Sequence, residues 1–343
     1  MTLRARILSL IERLAGGARD DAARDALLWE LFEHQRANVP PYARYVKQRL
    51  HALNDLGDIP ALPTDAFRFA RIASRPLEED VLVFRSSGTT QDARSSHALQ
   101  DLSLYDAAAQ AAARHALFPD RERMALLILA PHERELPDSS LSYMLSRFVE
   151  WFGDDGSSHV WPMQGPELER LRARLQHAVE AGMPVALLGT SFAFVHALDA
   201  LQEQFALPAG SRIMQTGGFK GRSREVAADE MRTLLRTTFG VERIVSEYGM
   251  TELSSQLYAE GEHLWSPGWT RVSVVHPETL QPLPHGETGL VRIDDLANID
   301  SVAFLQTADL GVLEAGGLRL LGRAPAAVAR GCSITADELL GGG

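Results

Sequence analysis

From Leu3 to Leu53 apolar residues recur every three or four positions. Leu3, Ile7, Leu10, Ile11 and Leu14 form one helical stripe, which Gly16 and Gly17 end. Leu27, Leu28, Leu31 and Phe32 form a second stripe, and a third helix is expected from Tyr42 to Leu53. The stretch from Asp58 to Pro63 reads as a linker, with Thr64 placed to cap a short helix after it. Past residue 80 the pattern changes to short Val/Ile/Leu-rich runs alternating with longer amphipathic segments. Strands are predicted at Val81–Phe84, Met124–Ala130, Val185–Leu188, Arg212–Gln215 and Arg243–Val245. Helices are predicted at Leu104–Leu117, Ser140–Phe152, Pro166–Ala181, Phe192–Phe205 and Arg224–Phe239. Alternation of this kind predicts an α/β fold with a mainly parallel sheet covered by helices.

Beyond Trp265 the runs shorten again and are separated by Gly and Pro turns. Arg271–Val275, Thr288–Ile293, Val302–Gln306, Val312–Glu314 and Arg319–Leu321 predict a small antiparallel or barrel-like lobe. The chain is thus expected to comprise a helical lead-in over residues 1–79, an α/β core over 80–264 and a β-rich lobe with a short tail over 265–343.

Composition narrows the class. A chain of 343 residues with 45% hydrophobic content can bury a large core. Its net charge of −11 and the lack of a dense basic run do not indicate a nucleic-acid partner. One cysteine, Cys332, excludes an internal disulfide and fits a reducing compartment. The first 17 residues lack the apolar core of a signal peptide, and no run is long enough to span a membrane. A cytoplasmic protein is the expectation.

Candidate chemistry gathers at two motifs. Ser86, Ser87, Gly88, Thr89 and Thr90 form a small, hydroxyl-rich run whose amides and hydroxyls can donate to phosphate oxygens. It is not a Walker loop, and it equally fits an ordinary polar turn. Ser246-Glu-Tyr-Gly-Met-Thr-Glu252 offers an aromatic to stack on a base, a hydroxyl for phosphate and a carboxylate for a hard cation. It also fits a helix start rich in acidic residues. Ser86 and Ser246 both follow predicted strands, so both motifs are expected at carboxyl ends of strands, where ligands of such sheets bind. Asp309, expected just after a strand, could accept both hydroxyls of a ribose, or be a turn aspartate. Arg323 ends another strand and could meet ribose or phosphate. Gly217, Gly218, Phe219 and Lys220 lie between a strand and a helix, where glycines allow close approach to a base or acyl chain and Lys220 could lie near phosphate. Cys332 is either a small buried hydrophobe or, beside Arg330, a thiolate nucleophile. The eleven histidines show no metal-ligand spacing, and there is no Gly-x-Ser-x-Gly elbow.

Taken in order, Ser86–Thr90, Gly217-Gly218, Tyr248–Glu252, Asp309 and Arg323 resemble the motifs of adenylate-forming enzymes. The chain more closely resembles the LuxE family of acyl-protein synthetases. That likeness runs through Arg85–Thr90, Arg94-Ser-Ser-His97, Ser139–Leu141, Gly189-Thr-Ser-Phe192, Thr216–Arg222 and Ser246–Gln256. The resemblance implies the adenylate-forming fold and a two-step reaction: a fatty acid is activated by ATP as its acyl-adenylate, then transferred to a cysteine thiol. It implies that Thr89, Thr90 and Thr251 bind phosphate, that Glu252 holds magnesium, and that Tyr248 and Gly218 border the adenine or acyl group, with Ser86, Ser87, Gly88, Gly217 and Gly249 as further ATP-binding candidates. Asp309 and Arg323 would hold ribose, and Cys332 would accept the acyl group. An acyl-CoA reductase-type partner is implied as the next acceptor.

Two departures stand out. The sequence ends some twenty residues after Arg323, without the C-terminal domain and catalytic lysine that most adenylate-forming enzymes carry. A Coenzyme A ligase is therefore the less expected reading, and Lys220 becomes the candidate catalytic lysine. The phosphate loop has Gln91 where glycine is usual. The competing expectations are an acyl- or aryl-CoA ligase or a ligase loading a carrier protein, and a catalytically silent nucleotide- or acyl-binding scaffold. Walls for the acid are expected around Ser191–Phe194, Gly217–Phe219 and Tyr248–Gly249, although Phe192, Phe194 and Phe219 also suit a core.

Overall fold

The computed structural model describes residues 1–49, 52–87, 94–217 and 227–325. Three helices open the chain: α1 (Leu3–Leu14), α2 (Asp21–Asn38) and α3 (Pro40–Arg49). The Thr2 hydroxyl caps α1 and the Asp20 carboxylate caps α2, each accepting from the amide three residues on. The predicted stripe of Ile7, Leu10, Ile11 and Leu14 is the buried face of α1. Helix α3 starts on Pro40, which suits a first-turn position because its missing amide has no intrahelical partner there.

The linker holds a two-residue strand, β1 (Leu62–Pro63), followed by a short helix, α4 (Ala66–Phe69). The N-cap of α4 is Asp65, one residue past the expected Thr64, and it makes no side-chain cap. Then come β2 (Leu82–Arg85), β3 (Ser96–Leu99), α5 (Ser103–Ala116), β4 (Ala125–Leu129), α6 (Ser140–Phe152) and β5 (Ser158–His159). They are followed by α7 (Leu168–Ala181), β6 (Val185–Thr190), α8 (Ser191–Leu201), β7 (Arg212–Thr216), α9 (Ala228–Phe239) and β8 (Arg243–Tyr248). The chain closes on short strands: β9 (Leu257–Ala259), β10 (His263–Leu264), β11 (Thr270–Val275), β12 (Thr288–Asp295), β13 (Phe304–Glu314) and β14 (Gly317–Arg323).

These elements form two compact units. One joins residues 1–112, 250–257 and 262–343; the other joins 113–249 and 258–261. Such a grouping, with one unit assembled from separate stretches, is not visible as a linear division of the sequence.

The second unit carries the α/β alternation. Its strands run β5-β4-β6-β7-β8-β9, with β4 to β8 parallel. Central strands of a parallel sheet face helices on both sides and so read as continuous apolar runs, as Ala125–Leu129 does. Leu127, Leu187 and Ile213 pack with Phe194 of α8 and Phe239 of α9 in one core. Burying each such side chain contributes about 2 kcal/mol. Phe194, a candidate wall for the acid, is thus a core residue. A charge lies within this unit too: Arg212, buried on β7, gives Nη1 to the Leu117 carbonyl and to the Asp120 carboxylate, both at 2.6 Å.

The first unit holds the antiparallel sheet β10-β14-β13-β12-β11, with β1 added in parallel to β13, and a separate β2–β3 hairpin. Helix α2 packs on it through Phe32, edge-on to Phe304 at 6.0 Å. Here the structure departs from the sequence reading. Val302–Gln306 and Val312–Glu314 were expected as two strands, but one strand, β13, runs through the polar Thr307-Ala-Asp309 between them. Strands β12 and β14 flank it, with a register shift against β12 at Leu290/Arg292 taking up residues 307–309 and a second against β14 at Leu310/Gly311. Asp309 therefore lies inside a strand rather than in a turn after one. Likewise Ser246 lies within β8, which extends to Tyr248.

Candidate functional site

In the first unit, the β2–β3 hairpin carries the phosphate-loop candidate. Strand register pairs Arg85 with Ser96, so Ser86 and Ser95 face each other just beyond the ladder. They are tied reciprocally: the Ser86 amide donates to the Ser95 carbonyl (3.0 Å), and the Ser95 amide donates to the Ser86 hydroxyl (3.0 Å). The Arg94 guanidinium bonds the carbonyls of Ser86 and Arg85. The start and end of the loop are thereby pinned. Ser87 is exposed at its start. Gly88, Thr89 and Thr90 lie outside the described residues.

The same hairpin reaches the second motif. The Ser95 hydroxyl donates to the Glu252 carboxylate, and His97, on β3, bonds the Thr251 carbonyl through Nδ1 at 2.9 Å. From the loop between β12 and β13, Asn298 gives Nδ2 to the Glu252 carbonyl (2.9 Å) and accepts the Ser254 amide (2.8 Å). Glu252 is 8% exposed. Burial raises its pKa above the ordinary carboxylate value, against the lowering effects of the Ser95 bond and its own backbone amide. Asp65 adds to the rise and Arg323 opposes it. Such a carboxylate gains from a cation. One oxygen donor beside phosphate also fits magnesium, which draws most of its shell from substrate phosphates and water. Among the described residues no group of three or more His, Cys, Asp or Glu forms a metal cluster.

Asp309 and Arg323 are register partners on β13 and β14, and Arg323 Nε stands 3.5 Å from Asp309 Oδ1. The Asp309 amide donates to the Thr307 hydroxyl (3.1 Å), which in turn donates to the Val291 carbonyl (2.8 Å). The arginine is 83% exposed and the aspartate 17%. An exposed guanidinium over a shielded carboxylate is an arrangement that can meet the hydroxyls of a sugar.

In the second unit, β7 and β8 run parallel with Thr216 opposite Glu247. Gly217 and Tyr248 therefore follow at the carboxyl ends of adjacent strands, where parallel sheets place ligands. Gly217 has φ +73°, a left-handed conformation that costs other residues about 1 kcal/mol or more. Its carbonyl accepts the Ser191 hydroxyl at 2.9 Å. Tyr248 is half-buried and Gly249 exposed. The Thr216 hydroxyl donates to Glu247, whose pKa burial pushes up to about 7.

Residues without an assigned role in the sequence reading thus hold the candidates: Ser95, His97, Asn298, Thr216 and Glu247. Ser95 and His97 had one signal, their place in the Arg94–His97 motif. Asn298 had none, because it reaches Glu252 across 46 residues of chain. Gly218, Lys220 and Cys332 lie outside the described residues.

The family model of acyl-protein synthetase, LuxE, matches residues 14–340. The chain belongs to this family. It is an ATP-dependent, AMP-forming ligase that joins an acid to a thiol. It is 26% identical over 272 residues to the long-chain-fatty-acid–luciferin-component ligase of Vibrio harveyi, covering 76% of this chain and 71% of that one. The corresponding ligase of Aliivibrio fischeri is 22% identical over 307 residues, covering 86% and 79%. Among solved structures it resembles 2-hydroxyisobutyryl-CoA ligase in complex with 2-HIB-AMP and CoA, at 16% identity and TM-score 0.67 over 88% of this chain and 70% of that one. It also resembles ATP-bound MatB from Rhodopseudomonas palustris, at 16% identity and TM-score 0.50 over 73% of this chain and 49% of that one. These likenesses establish the adenylate-forming fold expected from the motifs. Among the described residues no helix is long and apolar enough to cross a membrane.

Proposed function

We propose that this acyl-protein synthetase acts on a fatty acid, passing its acyl group through an adenylate to Cys332 and then to a reductase-type protein in the cytoplasm. The observation that carries the site reading is the Ser86–Ser95–Glu252 chain of hydrogen bonds, which ties one end of the phosphate loop to the buried carboxylate. In this reading Ser86, Ser87, Gly88, Thr89, Thr90 and Thr251 donate to the phosphates of ATP. Glu252 would hold magnesium, which would supply positive charge to the phosphates; the fatty acid carboxylate attacks the α-phosphorus and pyrophosphate leaves. Tyr248, Gly249, Gly217 and Gly218 border the adenine or the acyl group, Asp309 and Arg323 hold the ribose, and Lys220 neutralises charge on the α-phosphate.

The second step needs a thiolate at the adenylate carbonyl, with AMP leaving. A cysteine of the enzyme itself conserves the activation of the carboxyl group as a thioester on a tethered nucleophile. The relatives named as long-chain-fatty-acid ligases support the substrate class. The test is intact-protein mass after incubation with ATP, magnesium and a panel of fatty acids, with pyrophosphate followed in parallel. An acyl-sized gain that hydroxylamine removes and that Cys332→Ser abolishes is the expected result. Pyrophosphate release without an adduct would move the acceptor to Coenzyme A or a carrier protein.

A further inference from the structure

Cys332 and the nucleotide-contacting residues absorb most of the chemistry-bearing side chains, but His97 remains. It is 1% exposed, and no step of the proposed reaction uses it. Both ring nitrogens are engaged, Nδ1 with the Thr251 carbonyl at 2.9 Å and Nε2 with the Ser301 hydroxyl at 2.8 Å. A carbonyl oxygen can only accept, so Nδ1 carries the hydrogen. In the neutral ring Nε2 is then the acceptor, and the Ser301 hydroxyl donates to it. Burial pushes the His97 pKa down to about 4, so the ring stays in this one tautomer at neutral pH. Phe67 stands edge-on to it at 5.6 Å and leaves the ring little rotational freedom.

We infer that His97 is a positioning residue for the ATP-dependent step: it fixes the Thr251–Glu252 peptide so that the Glu252 carboxylate meets the magnesium ion. The inference rests on the proposed role of Glu252. His97 on β3 and Ser95, just before that strand, hold two consecutive residues of the motif. His97 holds the backbone of Thr251, and Ser95 holds the side chain of Glu252. Asn298 fixes the Glu252 carbonyl, which belongs to the following peptide. With three of its groups anchored, the carboxylate has one orientation before the ion arrives. Loss of the His97 donor frees the Thr251 carbonyl and lets the peptide plane tilt, which moves the Glu252 side chain at its root.

The test pairs two variants of similar size, His97→Asn and His97→Leu, checked for folding by thermal unfolding. Asparagine retains a donor close to the position of Nδ1, while leucine has none. The readouts are the magnesium concentration for half-maximal pyrophosphate release and, without turnover, the magnesium concentration for the half-maximal rise in unfolding temperature with a non-hydrolysable ATP analogue, with the KM for the fatty acid measured alongside. His97→Leu should raise the magnesium requirement about tenfold, and His97→Asn about threefold or less, with the fatty-acid KM unchanged in both. Equal shifts in both variants, or none in His97→Leu, would overturn the positioning role. If the leucine variant does not fold, Ser301→Ala decides the matter: a raised magnesium requirement with an unchanged fatty-acid KM supports it, and an unchanged requirement overturns it. Glu252→Gln in the same assay separates the two levels. If it leaves the magnesium requirement unchanged, the assignment of the ion to Glu252 is wrong and the inference goes with it. If it shifts the requirement and His97→Leu does not, only the role of His97 is wrong.

Discussion

Thr216 and Glu247 stand opposite each other on the parallel strands β7 and β8, and the Thr216 hydroxyl donates to the Glu247 carboxyl. One hydroxyl does not replace the water that burial removes, so the carboxyl holds its proton up to a pKa of about 7. The next residues in each strand are Gly217 and Tyr248. A titrating group therefore lies directly beneath two candidate nucleotide contacts.

This makes stability depend on pH in a stated direction. Below about pH 4 Glu247 is protonated in both the folded and unfolded chain, and its burial carries no ionisation cost. As pH rises, the unfolded chain loses the proton first and gains relative to the fold, until the folded group also ionises near pH 7. The contribution is on the order of 3 kcal/mol, lost between those values. Glu247→Gln keeps an acceptor for Thr216 and cannot ionise. Urea unfolding at pH 5 and pH 8 should show a smaller loss in the variant than in the parent. An identical loss in both would mean that Glu247 is already charged in the fold at pH 5.

Glu252→Gln should have opposite effects on stability and activity. Burial raises the Glu252 pKa, so the sign is the same as for Glu247: its ionisation weakens the fold as pH rises. A neutral amide removes that cost, and the variant should unfold at a higher temperature above neutral pH. Pyrophosphate release should fall about a hundredfold, the usual scale for losing one electrostatic contact to a reacting group. A variant both less stable and fully active would show that the carboxylate serves packing and not the reaction. Strain of this kind is characteristic of functional sites, where activity is held at the expense of stability.

Much of this molecule could be read from the chain alone, and the failures have physical reasons. The helix from Ser140 to Phe152 and the strand runs of the parallel sheet announce themselves, because burial of one stripe leaves a helical period and burial of both faces leaves a continuous apolar run. The strand β3 did not. Ser96-His-Ala-Leu99 has little strand preference, and what makes it a strand is pairing with β2. The same holds for β13, whose polar middle reads as a turn until its neighbours are known. For the site, the candidate residues were drawn from short motifs. Asn298 and Ser301 belong to none of these motifs and reach Glu252 and His97 from far along the sequence.

The β13–β14 pair offers a direct test of the ribose assignment. Asp309 and Arg323 are register partners, and the aspartate is the more shielded of the two. Asp309→Asn keeps the size but loses the charge-assisted acceptor, and should raise the KM for ATP about tenfold with little change in kcat. Arg323→Ala should also raise it. Because the pair is partly exposed, its mutual attraction contributes about 1 kcal/mol or less to folding, and neither change should lower thermal stability much. An unchanged KM for ATP in Asp309→Asn would remove these residues from the nucleotide site.

Gln35 connects the opening helices to this site at one remove. It is fully buried on α2; its Nε2 donates to the Asn298 carbonyl at 2.8 Å, and its Oε1 accepts the Ala303 amide at 2.9 Å. Those two backbone groups bracket Ser301, and Asn298 itself holds the Glu252 carbonyl. Replacing Gln35 with leucine keeps the volume but strands the buried Ala303 amide and leaves the Asn298 carbonyl with the Ser301 amide at 3.3 Å. A stranded buried group costs about 1–3 kcal/mol, so Gln35→Leu should lower the urea-unfolding free energy by about 2 kcal/mol. The loop carrying Asn298 and Ser301 should loosen as well, and the magnesium requirement should rise in the protein that remains folded. Gln35→Glu is the sharper companion. Its carboxylate can accept the Ala303 amide but, when ionised, cannot donate to the Asn298 carbonyl. It should therefore be tolerated better at pH 5 than at pH 8, whereas Gln35→Leu should show no such difference beyond that of the parent. If both variants are as stable as the parent, the link from α2 to the loop carries no weight, and the site is held by β3 and Asn298 alone.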